Sequence, residues 1–436
     1  MSEQQNTATA TTGSDYPLVK AAKESALRGR AAKLLERLGR WLDRDQLPDI
    51  EALGRLYTAS SKDNAANDLA RSWADQYLAA GADERRSLLA ALVRAGIESD
   101  TPQKEQLFRR LYAQSDRLGL MVELRADMLR WRNQVAGLAE LEQPLARLLS
   151  NWFDVGMLEL RHINWDSPAS LLEKLIQYEA VHEIRSWDDM RRRVADDRRC
   201  YAFFHPRMSD QPLIFVEVAF SEHIAGDVQA LLDPVRPVDG LEKARWAIFY
   251  SITNTQPGLR GISFGNFLLR RVIDDLQREL PHVRSYATLS PIPGFASWLE
   301  KQSADEVHAA LERLSGQSVD PEEDATGVGW VARLRGGAAA TADEDVEELR
   351  RCGLRLAARY LVNMHNGQPL DPVARFHLGN GARIEHVNWA ADLSVRGLAQ
   401  SCGMMVNYVY EPAQLDDNRA HLAAGKPSVS RKVQRL

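Results

Sequence analysis

The spacing of apolar residues changes once along this chain, near Gly156, and that change limits the possible folds more than any other feature. Over residues 17–153, apolar side chains recur at helical spacing with charged side chains on the opposite face. Beyond Gly156, alternating runs rich in β-branched and aromatic residues are interspersed with helical stretches. The pattern predicts an α+β chain, with an all-α bundle followed by an α/β domain.

Composition shifts suggest four regions. Residues 1–14 are rich in Thr, Ala and Gln and are expected to be disordered. Residues 15–154 are predicted to form a bundle of seven or eight helices, and residues 155–420 an α/β domain. Residues 421–436 contain Gly, Pro, Ser and basic residues, which predicts a flexible basic tail. Surface loops are predicted at 317–327, which holds four acids, and at the small-residue run 336–342.

Strands are predicted over 157–162, 200–204, 212–220, 246–253 and 285–289, and helices over 168–180, 264–280 and 343–364. The run Arg191-Arg-Arg193 predicts a solvated helix face, with contact to a ligand phosphate as the alternative.

Charge and cysteine usage exclude several classes of protein. A net charge of −5 argues against a general nucleic-acid binder. The cysteines, Cys200, Cys352 and Cys402, are scattered without C-x-x-C spacing, so neither a zinc site nor a disulfide framework is indicated. No stretch approaches the roughly 20 apolar residues of a membrane span. The first twenty residues resemble neither a signal peptide nor a transit peptide, so we expect a cytoplasmic protein. From the scattered cysteines we also expect no metal site.

Two segments carry candidate catalytic side chains. Ser290 ends a predicted strand and is followed by Pro291 and Pro293, which lack an N–H and stop strand pairing. His377 lies beside a turn that contains Gly381. A histidine with its ordinary pKa near 6.5 can transfer a proton at neutral pH. The alternative interpretation is a turn serine and a core histidine.

A glycine-containing loop lies between the strand predicted at 246–253 and the next helix. Gly261 and Gly265 would let backbone N–H groups approach an anion next to a helix N-terminus, which would suit a pyrophosphate. The loop has neither the Rossmann glycine spacing nor a P-loop lysine. A plain strand-to-helix turn is the alternative.

The Arg-x-x-x-x-Gly pattern of this loop resembles the pyrophosphate-binding loop of the acetyltransferase-like (GNAT) fold, which holds coenzyme A. The wider sequence resembles the malonyl-CoA decarboxylase family over roughly residues 20–412. The motifs that carry this resemblance are Leu-Ser-Pro-Ile-Pro-Gly-Phe at 289–295, Phe-His-Leu-Gly-Asn-Gly at 376–381 and Ser-Cys-Gly-Met-Met-Val-Asn-Tyr-Val-Tyr at 401–410.

The resemblance implies a GNAT-like catalytic domain that converts malonyl-CoA to acetyl-CoA and CO₂ through a thioester enolate, with no cofactor. It implies that Ser290 is the proton acceptor and substrate carboxylate contact, and that His377 is the proton donor. It implies a bacterial cytoplasmic form whose helical domain serves self-association into a homotetramer, a dimer of dimers. The substrate-binding loop implied by the family is Arg260, Gly261, Ile262, Ser263, Phe264, Gly265 and Asn266.

Several alternatives stay open. A GNAT-type acyltransferase would use the same loop but pass an acyl group to an amine, and a non-catalytic acyl-CoA sensor would only bind. Tyr410 and Asn388 lie in matching motifs and either line the pocket or are buried structural groups. Cys402 is interpreted as a small core residue, with a nucleophile as the alternative.

Overall fold

The computed structural model describes residues 49–235, 240–262, 268–315, 326–340 and 344–436. The chain divides into two compact units, one formed by Met1–Trp152 with Gln256–Ile262 and the other by Phe153–Thr255 with Ser263–Leu436. The region predicted to be disordered, 1–14, lies outside the described residues. None of the described helices has the length and apolar character needed to cross a membrane.

The described part of the first unit is helical. Its helices are α1 (Ile50–Thr58), α2 (Asn64–Ala79), α3 (Ala82–Ala95), α4 (Thr101–Ser115), α5 (Leu118–Trp131) and α6 (Leu138–Trp152). Aspartates start three of them: Asp49, Asp63 and Asp100 each accept a hydrogen bond from a backbone N–H of the first turn. Apolar faces at helical spacing then pack together, and buried Tyr57 satisfies its hydroxyl on the Leu92 carbonyl at 2.8 Å.

The segment 256–262 belongs to this helical unit. Its 3₁₀ turn, Pro257–Leu259, packs on α5 so closely that a Cβ on Gly258 would lie 1.8 Å from the Val122 carbonyl oxygen. The buried Arg125 guanidinium donates to the carbonyl oxygens of Gly258 at 2.6 Å and of Arg260 at 2.9 Å. The same guanidinium bonds Glu142 at 2.6 Å, so the segment is tied to α5 and α6 by charge-assisted hydrogen bonds.

The second unit is built on one mixed sheet of eight described strands. They are β1 (Glu159–Ile163), β2 (Arg198–Phe204), β3 (Ile214–Ser221), β4 (Trp246–Asn254), β5 (Ser285–Thr288), β6 (Ser290–Pro291), β9 (Arg383–Asn388) and β10 (Met405–Tyr410). The spatial order is β1-β2-β3-β4-β5-β10-β6, with β9 on the other side of β10. Among the described strands of this sheet, β4 and β5 pair in parallel and the other pairs are antiparallel. A further two-stranded sheet pairs β7 (Met364–His365) with β8 (Gln368–Pro369).

Helices connect and cover these strands. They are α7 (Ala169–Tyr178), α8 (Trp187–Arg193), α9 (Val228–Leu232), α10 (Leu268–Glu279), α11 (Phe295–Leu299), α12 (Ala304–Ser315), α13 (Gly327–Ala338), α14 (Glu344–Val362), α15 (Pro372–Gly379), α16 (Val395–Ser401), α17 (Leu415–Ala423) and α18 (Arg431–Gln434). The predicted strand–loop–helix–strand unit is present as β4, α10 and β5. The predicted fold class, an α+β chain with a helical unit followed by an α/β unit, is confirmed.

Side-chain alternation divides the residues of β5, β6 and β10 between the two faces of the sheet. Ala287, Leu289, Met405 and Val409 contribute to one buried apolar cluster. Residues one position away therefore point to the opposite face. That second face carries the candidate catalytic residues described below.

Three expectations about surface segments need correction or fall outside the structure. The predicted flexible tail at 421–436 is ordered: Ser430 N–H donates to the Ile384 carbonyl oxygen at 2.8 Å and Val433 is 6% exposed. The tail is held because it covers β9, whose outer edge would otherwise be unpaired. The small-residue run predicted as a loop at 336–342 begins inside α13. A Cβ on Gly337 would collide with the Leu349 side chain, so a small residue is needed at this position of the helix. Most of the acidic loop predicted at 317–327, namely residues 317–325, lies outside the described residues.

Of the arginine run on α8, predicted as a solvated face, only Arg191 is exposed. Arg192 and Arg193 are 7% and 3% exposed. Arg192 bonds both carboxylate oxygens of Asp197, at 2.5 and 2.9 Å, and Arg193 bonds Glu217 at 2.7 Å. A charged run can be buried when each guanidinium meets a carboxylate, and that pairing is not visible from the run alone.

Candidate active site

Ser290 is presented where the chain changes strands. β5 ends at Thr288, and the short β6 that follows pairs Ser290 with Val406 of β10. The prediction of one strand ending on Ser290 is therefore close but not identical to the structure. Alternation places Thr288 and Ser290 on the same face, away from the apolar cluster.

His377 is carried by α15, whose start is set by the local sequence. Asp371 accepts the backbone N–H groups of Val373 and Ala374, and Pro372 occupies the first turn, where it costs no hydrogen bond. One turn and a half later, the imidazole of His377 points into the second unit and is 3% exposed.

The structure brings the two predicted catalytic residues together. His377 Nε2 lies 3.1 Å from Ser290 Oγ, although 87 positions separate the two in the chain. On the other side of the ring, His377 Nδ1 lies 2.7 Å from the Tyr410 hydroxyl. Both contacts are within hydrogen-bond range, so the three side chains form a continuous chain of exchangeable protons.

Apolar and aromatic groups surround the imidazole. The Tyr408 ring stacks on it with centroids 4.5 Å apart and an interplanar angle of 24°. Burial disfavours the charged imidazolium and lowers the pKa of His377 to about 3. Burial also raises the pKa of Tyr410 well above its ordinary value. Both groups are therefore neutral at pH 7.

Sequence reasoning missed two members of this constellation, Thr288 and Tyr408. Both lie two residues from a side chain that had been considered, Ser290 and Tyr410. The period-two rule for strands was the signal that would have found them. Asn388 has a structural role: its amide donates to Asn407 Oδ1 at 2.8 Å, and Asn407 in turn bonds the Thr288 carbonyl oxygen at 2.7 Å.

The predicted substrate-binding loop is described only at its start. Arg260, Gly261 and Ile262 follow the 3₁₀ turn held by α5, and Gly261 has φ +75°, a conformation suited to glycine. Ser263, Phe264, Gly265 and Asn266 lie outside the described residues.

The cysteines offer no competing nucleophile. The three cysteines are free and buried, and Cys402 is fully enclosed, which favours a core role over a nucleophile. Burial raises the pKa of Cys402 to about 11, so its thiolate is scarce at neutral pH. Within the described ranges, no group of three or more His, Cys, Asp or Glu side chains is arranged to hold a metal ion.

Comparison with known proteins gives a consistent result over both units. Residues 156–436 match the family model of the malonyl-CoA decarboxylase C-terminal domain, and residues 71–153 match that of the N-terminal domain. The chain is 37% identical over 345 residues to mitochondrial malonyl-CoA decarboxylase of Anser anser anser, covering 74% of this chain and 66% of that protein. The corresponding protein of Rattus norvegicus is 37% identical over 327 residues, covering 71% and 65%. The matched region thus spans slightly less than two thirds of these relatives.

Solved bacterial structures extend the likeness. Malonyl-CoA decarboxylase from Cupriavidus metallidurans is similar with a TM-score of 0.79 at 48% identity, covering 88% of this chain and 98% of that one. The protein of the same name from Agrobacterium vitis has a TM-score of 0.67 at 38% identity, covering 94% and 97%. On sequence and structure together, the chain belongs to the malonyl-CoA decarboxylase family.

Proposed function

We propose that this protein decarboxylates malonyl-CoA to acetyl-CoA and CO₂, with Ser290 and His377 at the reacting centre. The observation that carries the proposal is the buried 3.1 Å contact between Ser290 Oγ and His377 Nε2. Two distant motifs of the family meet there, on the sheet face that lacks the apolar cluster. Burial of that contact suits a reaction that requires a carboxylate to lose its water shell.

The reaction can be balanced without an added electron sink. The bond between carbon 2 and the carboxylate carbon breaks, and its electron pair moves into the thioester to give an enolate as CO₂ leaves. Carbon 2 then takes a proton. Preorganised hydrogen-bond donors stabilise such an oxyanion. We therefore infer that the enzyme uses neither a metal nor an organic cofactor.

His377 supplies the proton in its neutral form. Because burial lowers its pKa to about 3, an imidazolium is not the resting donor. A neutral imidazole carries one N–H, and it can donate toward Ser290 only if that hydrogen is on Nε2. The Tyr410 hydroxyl donates its hydrogen to Nδ1 and thereby keeps the single imidazole N–H on Nε2, and the proton that Nε2 gives up is replaced at Nε2 from solvent after turnover. Ser290 contacts the substrate carboxylate and accepts the Nε2 hydrogen when the site is empty.

Coenzyme A is assigned to the loop Arg260–Asn266. Its start is held against α5 by Arg125, which fixes the backbone where a pyrophosphate would be met. Gly261 with its positive φ is compatible with a tight anion-binding turn.

Incubation with malonyl-CoA and no acceptor, after exhaustive dialysis against chelator, tests the activity. We expect equal amounts of acetyl-CoA and CO₂, and in D₂O one deuterium on the new methyl group. An acyltransferase would instead require an amine and would release free coenzyme A, and a sensor would bind without turnover. Activity that is lost on dialysis and restored only by a metal would contradict the cofactor-free mechanism.

We further infer that the chain acts in a reducing cytoplasm as a homotetramer, a dimer of dimers, without nucleic-acid or membrane partners. The free, buried cysteines support the compartment, and the match of residues 71–153 to the family's N-terminal domain supports self-association. Sedimentation equilibrium should give four times the chain mass of 49.0 kDa. A monomer at micromolar concentration would exclude the assembly.

A further inference from the structure

Thr288 occupies an unusual position between the two strands that carry the site. It is the last residue of β5 and is completely buried. β10 pairs with β5 through Val409 and Tyr410 and with β6 through Met405 and Val406. Between these pairs, the N–H of Tyr408 donates to Thr288 Oγ1 at 3.1 Å. The threonine hydroxyl thus acts as the acceptor where a backbone carbonyl would continue the ladder.

The same oxygen is the acceptor for Ser290. The Ser290 hydroxyl donates to Thr288 Oγ1 at 2.9 Å. A hydroxyl has one hydrogen and two lone pairs. Since the hydrogen of Ser290 points to Thr288, only a lone pair of Ser290 faces His377.

That arrangement determines which nitrogen of His377 is protonated. A lone pair on Ser290 Oγ requires a donor at Nε2, 3.1 Å away. Neutral imidazole has a single N–H, so Nδ1 is then an acceptor and takes the hydrogen of the Tyr410 hydroxyl. All hydrogens in the chain from Tyr410 to Thr288 point in one direction.

We propose that Thr288 is a positioning residue that sets the direction of this hydrogen-bond chain and keeps the proton of His377 on Nε2. The inference rests on the proposed function, in which Nε2 donates the proton to carbon 2. Without the Thr288 hydroxyl, Ser290 is free to turn its hydrogen toward Nε2. His377 would then carry its proton on Nδ1 and present a lone pair where a donor is needed.

The backbone of Thr288 is fixed separately from its hydroxyl. Its carbonyl oxygen accepts from the Asn407 amide at 2.7 Å, and Asn407 also bonds the Ala225 carbonyl oxygen at 2.9 Å. The next residue, Leu289, donates its N–H to the Phe249 carbonyl oxygen of β4 at 3.0 Å. Replacing the hydroxyl leaves these anchors in place but also removes the acceptor of the Tyr408 N–H, so the unfolding free energy of each Thr288 variant is measured beside its kcat.

The test compares Thr288→Val, which keeps the shape but removes the hydroxyl, with Thr288→Ser, which keeps the hydroxyl. We expect Thr288→Val to lower kcat by about tenfold to a hundredfold with KM for malonyl-CoA little changed, since a misdirected general acid loses part of its contribution. Thr288→Ser should restore most of kcat. Wild-type kcat in Thr288→Val, beside an impaired Ser290→Ala, would overturn the positioning role and leave the proposed function intact. Full activity of Ser290→Ala would instead count against the proposed function.

A spectroscopic readout separates direction from simple loss of packing. With ¹⁵N-labelled histidine, the His377 resonances are assigned by their absence from His377→Asn. Wild-type protein should show the Nε2–H tautomer and Thr288→Val a shift toward Nδ1–H. A wild-type Nδ1–H tautomer would overturn the proposal even if no Thr288 variant folds.

Discussion

The electrostatic setting of His377 differs from what its residue type suggests. An ordinary histidine pKa near 6.5 led to the expectation of a titrating proton donor at neutral pH. Burial instead lowers its pKa to about 3, since the imidazolium would have to give up its water shell. In the proposed mechanism the side chain therefore works through one N–H of a neutral ring, and the groups around it decide which nitrogen carries the hydrogen.

This lowered pKa makes folding stability depend on pH. The folded-state pKa lies below that of the unfolded chain, so the unfolded state binds more protons between the two values. The contribution is complete above the unfolded pKa of about 6.5 and is lost as pH falls toward the folded pKa. Relative to His377→Asn, wild-type protein should lose up to about 1.4 kcal/mol of unfolding free energy per pH unit below pH 6. Urea denaturation of the wild-type and His377→Asn proteins at several pH values measures the two unfolding free energies. Parallel pH profiles would show that the ring is solvated in solution.

In the proposed mechanism, Tyr410 keeps the hydrogen of His377 on Nε2 by donating to Nδ1. Tyr410→Phe leaves Nδ1 of His377 without its donor and should lower kcat by about tenfold to a hundredfold while KM changes little. Tyr286→Phe is a matched control, because Tyr286 pairs with Tyr410 across the strands but donates to the Val283 carbonyl oxygen at 2.8 Å. Steady-state assays compare the two. Equal kcat values would mean that Tyr410 only packs against the ring.

At the scale of elements, the turn after α15 holds the helix that carries His377. Gly381 has φ +87°, and a Cβ there would lie 2.4 Å from the Leu415 carbonyl oxygen. Gly381→Ala should cost at least about 2 kcal/mol of unfolding free energy, from left-handed strain plus the backbone clash. In Gly379→Ala the new Cβ meets nothing within 4 Å, so that variant should be neutral or slightly stabilising. Chemical denaturation of both variants measures this, and equal stabilities would contradict the account of the turn.

Arg125 anchors the segment that precedes the proposed substrate loop. Arg125→Lys keeps a cation beside Glu142 but cannot also bridge the carbonyl oxygens of Gly258 and Arg260. If Arg260–Asn266 binds coenzyme A, KM for malonyl-CoA should rise about threefold to tenfold with kcat nearly unchanged, since positioning is lost but chemistry is not. Arg130→Lys, at an exposed position on the same helix, is the control. An unchanged KM in a folded Arg125→Lys protein would show that this anchor does not contribute to the binding of malonyl-CoA.

Along the chain, the sequence predicted most of the helices and strands whose pattern of apolar residues is local. The strand predicted at 246–253 is β4, Trp246–Asn254, because an apolar run bounded by polar residues needs little context. The prediction of a flexible tail at 421–436 was wrong. Gly, Pro and basic residues predict coil, whereas pairing with β9 decides the structure of this segment.

The site followed the same division between local pattern and tertiary contact. Ser290 and His377 were predicted from motifs, but their hydrogen-bond partners come from β5 and β10 side chains that meet only after the sheet has formed. Direction within the hydrogen-bond chain depends on Thr288, which no motif marked. The pKa of His377 is likewise lowered by burial, which is a property of the folded unit.

The kcat values of His377→Asn and Ser290→Ala with malonyl-CoA are the sharpest test of whether the Ser290–His377 pair performs the decarboxylation. Each variant should lose about 10²–10⁴-fold in kcat while binding acetyl-CoA with nearly wild-type affinity. The double variant should be little worse than the worse single one, because the residues act as a unit. His365→Asn, an exposed position on β7, should be fully active. A folded His377→Asn enzyme that keeps most of its kcat would contradict the account.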